Sequence, residues 1–115
     1  MKSILSSYKE FLYSKNKLKF GSYKELHSWS VNQPSVFWDS IVSFFKIDFD
    51  KYSNHIYKPN KNFIKTQWFN GSKISYSKNI FKNDSLKTPA IKYQDETGEY
   101  TEISWNSLKI KTLEF

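Results

Sequence analysis

The amino-acid sequence predicts an α+β chain: short N-terminal helices and long loops, followed by a β-hairpin and a helix start. Three observations predict it. Apolar residues recur at helical spacing through about Lys46. Residues 48–66 then lose periodicity and are dominated by Asn, Lys, Ser and Asp. Near the C-terminus two alternating runs flank Asp95-Glu-Thr-Gly98, the pattern of a hairpin.

The elements follow in order. Ile4, Leu5, Tyr8, Phe11 and Leu12 form one stripe of an amphipathic helix, and Gly21 is expected to end that segment. Ser22-Tyr-Lys-Glu25 is a capping box. The Ser22 hydroxyl can accept from the Glu25 amide while the Glu25 carboxylate reaches back to the Ser22 amide. The short helix that follows carries Tyr23, Leu26 and Trp29. Asn32-Gln33-Pro34 breaks it and opens the next, because proline at a first helical position loses no hydrogen bond. Phe37, Ile41, Phe44 and Phe45 line that third helix. Residues 48–66 read as an irregular connection with one extended piece at Ile56-Tyr57, and a loop so long is expected to lie over another surface. Gly71 marks a turn, and a short helix is expected near Ser75 to Phe81. After a polar linker through Pro89 come the two strand runs, at 90–94 and 99–103. Ser104 is placed to cap a helix starting at Trp105. The sequence after Lys109 does not continue that helix in an obvious way. A hairpin and a helix stub are not stable alone, so they read as the first pieces of a larger sheet.

Composition bounds the possibilities. Hydrophobic residues make up 38% of the 115 residues and half of that is aromatic, at 19%. The expected core is therefore one of Phe, Tyr and Trp, with little Val, Leu or Ala. The net charge is +7 and the isoelectric point about 9.5, which admits nucleic acid or another anionic partner. Two features argue against nucleic acid. All 18 basic residues are lysine, whereas arginine supplies the planar fork that pairs with phosphate and guanine. Abundant Lys, Asn, Ile, Phe and Tyr together also match an AT-rich coding sequence. Tyr93, Tyr100 and Trp105 lie on or beside the hairpin and could stack bases, though strand aromatics more often pack on a core.

No reaction centre is legible. The chain has no cysteine, which excludes disulfides, thiolate-bound zinc and a thiol nucleophile. His27 and His55 are the only histidines and have no metal-ligating partner at helical spacing. Asp95 and Glu96 sit where turn chemistry explains them. Three glycines, at 21, 71 and 98, cannot make a phosphate-binding loop. Catalytic, cofactor-binding and metal-binding residues are thus all expected to be none. No apolar run is long enough to span a membrane, and the N-terminus reaches Lys9 and Glu10 too soon for a secretory signal. The expected location is cytoplasmic.

The four tryptophans mark element borders, and their surroundings resemble the N-terminal region of the acetoacetyl-CoA synthetases, in the adenylate-forming group. Tyr23-Lys-Glu-Leu-His-Ser-Trp-Ser-Val31 and Pro34-Ser-Val-Phe-Trp38 are similar to two consecutive motifs of that region. Trp68-Phe-Asn-Gly71 with Ile74, Tyr76 and Asn79 resembles a third. Pro89-Ala-Ile, Glu96-Thr-Gly98 and Ser104-Trp-Asn-Ser-Leu108 resemble the opening of the large adenylating domain. The Trp-Ser-Val triplet favours the acetoacetate branch over the acetate branch. Asn70 stands where the family has proline, Ser75 where it has asparagine, and Ser77-Lys78 where it has Ala-Glu.

The resemblance implies a division into an N-terminal extension, 1–82, and a truncated start of the AMP-binding domain, 83–115. It implies a parent that activates acetoacetate with ATP and Mg and passes the acyl group to CoA, all three bound by parts absent from this chain. The partner so implied is the remainder of the synthetase, with Trp29, Phe37, Trp38, Trp68 and Phe69 as anchors that bury against it or against one another. Two other readings remain open. One is a free-standing basic module for nucleic acid or another anionic partner. The other is a protein that mimics the synthetase N-terminus and docks on a synthetase.

Overall fold

The computed structural model describes residues 2–83 and 87–113. Its elements are α1 (Ile4–Asn16), α2 (Tyr23–Asn32), α3 (Pro34–Phe44), β1 (Tyr57–Lys58), β2 (Gln67–Trp68), α4 (Tyr76–Ile80), β3 (Ile91–Gln94), β4 (Tyr100–Ile103) and α5 (Trp105–Leu113). Single 3-10 turns occupy Phe63–Lys65 and Phe81–Asn83. The chain divides into two compact units, Met1–Ile74 and Ser75–Phe115. Helices and two small antiparallel strand pairs make it α+β, as expected.

The first unit is three helices and a strand pair. Ser3 caps α1 through the Ser6 amide. The helix stops at Lys17, in the left-handed region at φ 58°, earlier than the expected stop at Gly21. This conformation lets the Lys17 and Leu18 amides return to Tyr13 and Leu12 carbonyls at 3.0 and 3.3 Å and folds Leu18 back on the core. Gly21 serves α2 instead. Its amide donates to Glu25 Oε2 at 2.8 Å, so the return arm of the capping box lands one residue before Ser22. The forward arm forms as expected, with Glu25 N–H donating to Ser22 Oγ at 3.2 Å. Pro34 opens α3 directly after α2.

The core corrects the expectation drawn from composition. Its buried centre is Tyr8, Leu12 and Leu26, with Leu12 wholly out of water. Aromatic rings form a jacket around these aliphatics. Tyr8 meets Phe44 at 5.1 Å and Phe37 at 6.4 Å, edge to face, and Trp29 meets Phe37 at 5.9 Å and Phe20 at 5.2 Å. Large rings are rarely enclosed completely in a small domain, whereas a leucine fits the wedge between three helices. Phe45 leaves the expected stripe: it caps α3 and is exposed. The Tyr8 hydroxyl meets Ser40 Oγ at 2.5 Å inside the core, and Ser40 bonds the Phe37 carbonyl at 2.6 Å. Burial raises the Tyr8 pKa, with the Ser40 bond opposing it.

The connection at 48–66 is more ordered than its composition predicts. An isolated bridge joins Lys51 to Lys73, and β1 pairs with β2 in the register Tyr57 to Trp68. The extended piece expected at Ile56-Tyr57 lies one residue later, and Ile56 is buried.

In the second unit Ser75 caps α4 through the Lys78 amide at 3.3 Å. The hairpin forms with Ile91 opposite Ile103 and Gln94 opposite Tyr100. Its turn closes with Gly98 at φ 86° and a 3.1 Å bond from the Gly98 amide to the Asp95 carbonyl. Ser104 Oγ caps α5 by accepting from Ser107 N–H at 3.1 Å. That helix runs on to Leu113, further than the sequence after Lys109 promises. No described residue of this unit is buried.

Candidate docking surface

The sequence nominates no site residue, and its candidate groups are dispersed. His27 is exposed beside Tyr23, 6.2 Å between ring centres. His55 is exposed and within 3.3 Å of Ser53 Oγ. Among the described residues no three of His, Cys, Asp and Glu gather closely enough to hold a metal. Asp95 builds the hairpin turn. Its Oδ1 accepts from the Thr97 hydroxyl at 2.6 Å and from the Thr97 and Glu99 amides at 2.9 and 3.0 Å. The Thr97 hydroxyl bond first, and the Glu99 amide next, hold its carboxyl below its ordinary 3.8. Tyr93 lies opposite Thr101 and Tyr100 opposite Gln94. Facing pairs share a face and successive residues alternate, so the two tyrosines point to opposite faces and cannot form one stacking platform.

What the first unit does present is apolar surface. Trp38 on α3 meets Trp68 on β2 edge to face at 5.8 Å, yet the two remain 39% and 42% exposed. Phe49 lies 5.8 Å from Phe69 and 5.1 Å from Tyr52. Trp38, Phe49, Trp68 and Phe69, with Val42, Ile47 and Ile74, line an apolar groove of about 410 Å³. The turn after Trp68 shapes it. Phe69 takes φ 45°, a left-handed conformation that costs a non-glycine residue about 1–2 kcal/mol. Two bonds hold it, from the Phe69 amide to the Ile56 carbonyl at 2.9 Å and from the Asn70 amide to His55 at 3.0 Å. The second explains how Asn70 is accommodated: it donates a hydrogen bond that a proline could not make. A neighbouring, more polar hollow of about 360 Å³ includes Asp39 and Tyr52, whose hydroxyl donates to Asp39 Oδ1 at 2.5 Å. Burial chiefly, and then the Asp39 bond and charge, push the Tyr52 pKa well above its ordinary value.

Sequence reasoning missed the 3-10 turn at Phe63–Lys65, which carries two exposed apolar side chains. Residues 51–74 around it contain five lysines and no carboxylate. In the second unit the buried Trp105 Nε1–H has no hydrogen-bond partner among the described residues.

The described residues thus present half-exposed apolar rings and a buried indole donor without a described partner. The comparisons with known proteins give the family. The family described as acetyl-coenzyme A synthetase N-terminus matches residues 23–80, and the chain belongs to it. Acetoacetyl-CoA synthetase of Caenorhabditis elegans is 22% identical over 96 residues, covering 83% of this chain and 14% of that protein. The Danio rerio acetoacetyl-CoA synthetase is 26% identical over 83 residues, covering 71% and 12%. The solved acetoacetyl-CoA synthetase from Streptomyces lividans shares the fold with a TM-score of 0.77 at 23% identity, over 87% of this chain and 16% of that one. The chain thus spans only a small fraction of the length of the relatives it matches.

Proposed function

We propose that this chain is the N-terminal, structural part of an acetoacetate–CoA ligase. The whole enzyme would activate acetoacetate with Mg-ATP to an acyl-adenylate and transfer the acyl group to CoA. ATP, Mg and CoA would be held by the rest of the enzyme, in the cytoplasm, as a step of lipid metabolism. Residues 1–82 would act as the extension and 83–115 as the start of the adenylating domain. The family match over residues 23–80 carries the reading. The half-exposed Trp38 and Trp68 support it, because a segment that lies against a larger body keeps some rings for that body.

The chain's own contribution is to present anchors. Helices α1 to α3 hold Trp29 and Phe37 internally and turn Trp38 outward, while the strained turn at Phe69 sets Trp68 beside it. The test is ATP–pyrophosphate exchange with acetoacetate. The purified 115-residue chain is expected to give none, and exchange by the chain alone would overturn the structural role. The coding DNA downstream offers a second check, since a frame encoding a Ser/Thr/Gly-rich phosphate loop is expected there.

A further inference from the structure

In the first unit the most exposed large apolar side chains are Ile64 at 89% and Phe63 at 79%. They stand side by side on the turn between β1 and β2, and the turn is tightly built. Asn62 Oδ1 accepts from the Ile64 amide at 3.1 Å, and Asn60 Oδ1 from the Asn62 amide at 2.9 Å. Thr66 Oγ1 accepts from the Asn60 amide at 3.3 Å. Backbone bonds from Lys65 to Asn62 and from Thr66 to Phe63, at 2.9 and 3.0 Å, close it. The sequence therefore fixes two hydrophobic side chains in water, which is unfavourable unless something covers them. Lys58, Lys61 and Lys65 flank the pair, with no carboxylate in residues 51–74 to offset them.

We propose that Phe63 and Ile64 are a docking peg that seats in an apolar recess, bordered by carboxylates, on the catalytic body of an acyl-CoA synthetase. This rests on the reading of the chain as a synthetase segment and names the surface that makes the contact. The peg lies inside the family-matched region, and the chain covers only 16% of the solved synthetase, so most of that enzyme is available to receive it. The lysines call for an acidic border. A lipid surface also takes apolar groups flanked by lysines. Prior fixing of the turn favours a shaped recess, because rigidity gains affinity only against a partner of defined form.

The test immobilises the 115-residue chain and titrates it with the Streptomyces lividans synthetase from which the segment aligned with this chain has been removed. Saturable binding is expected. Phe63→Ser with Ile64→Ser should weaken it by about 30-fold or more, while leaving the melting temperature of the chain itself unchanged, since both side chains are already in water. Changing Lys58, Lys61 and Lys65 to Gln should weaken binding less and flatten its salt dependence. Equal binding by the wild type and the double variant overturns the peg and leaves the synthetase reading standing. With the shortened synthetase confirmed folded by circular dichroism, absence of binding by the wild type overturns both. Binding to phosphatidylcholine vesicles containing phosphatidylserine that the double variant loses would overturn the recess in favour of a lipid surface.

Discussion

The two units of this chain use similar local chemistry to different effect. Met1–Ile74 closes around Tyr8, Leu12 and Leu26 and jackets them with rings. In Ser75–Phe115 the caps, the turn and the strand register are all in order, yet no described residue is buried. Correct local signals are therefore not sufficient for a core. Three helices with facing apolar stripes can exclude water among themselves. A two-stranded hairpin with two short helices has too little surface to do so, and isolated hairpins are marginal in water. The Trp105 indole, without a partner among the described residues, fits the same account, since an unpaired buried donor costs about 1–3 kcal/mol that an acceptor would recover.

Hydrogen exchange gives the sharpest test of this contrast. Amides of α1 and α3 should be protected by orders of magnitude more than those of β3 and β4, because exchange from the hairpin needs only local opening. Equal protection would break the comparison. The next effect is Leu12→Ala, expected to cost about 2–5 kcal/mol in urea unfolding followed by tryptophan fluorescence, as it leaves a cavity at a fully enclosed side chain. Ser40→Ala should cost about 1–3 kcal/mol in the same assay by stranding the buried Tyr8 hydroxyl. Ser22→Ala removes the cap of α2 and should cost about 1 kcal/mol.

The smallest effect separates the units by pH. The folded Asp95 carboxyl lies below its ordinary 3.8, so its support of the hairpin turn is present above that value and is lost as the pH falls through the folded value. NMR shifts of Thr97 and Glu99 should follow that loss, and Asp95→Asn should abolish it. Tyr52 has the opposite sign. Its folded pKa is raised, so the neutral hydroxyl's contribution holds below about pH 10 and declines as the pH climbs towards the folded value. Ultraviolet titration should find Tyr8 and Tyr52 ionising after the rest, Tyr52 last, and Tyr52→Phe should remove the last step.

The helix starts, the proline break before α3, the hairpin and the Ser104 cap were legible in the residues, because each is decided by neighbours within about four positions. So was the family, since Trp29, Trp38 and Trp68 keep its motifs at compatible gaps. The order within 48–66 was not legible. Its bridge between Lys51 and Lys73 and its pairing of Tyr57 with Trp68 join polar segments far apart in the chain, and no periodicity announces such a contact. The pegged turn was hidden for a related reason. Asn60, Asn62 and Thr66 look like loop composition until their bonds are seen to fix Phe63 and Ile64 outward.

By itself the sequence determined the helices and the hairpin, since backbone propensity, capping and alternation act locally. Of the tryptophans expected at element borders, Trp68 and Trp105 lie there, whereas Trp29 and Trp38 lie within α2 and α3. Only the tertiary structure decided that leucines and a tyrosine would take the centre, that Tyr93 and Tyr100 would face apart, and which rings would stay in water. Those outcomes depend on how volumes from distant segments meet, and side-chain volume becomes a constraint only once the helices are packed.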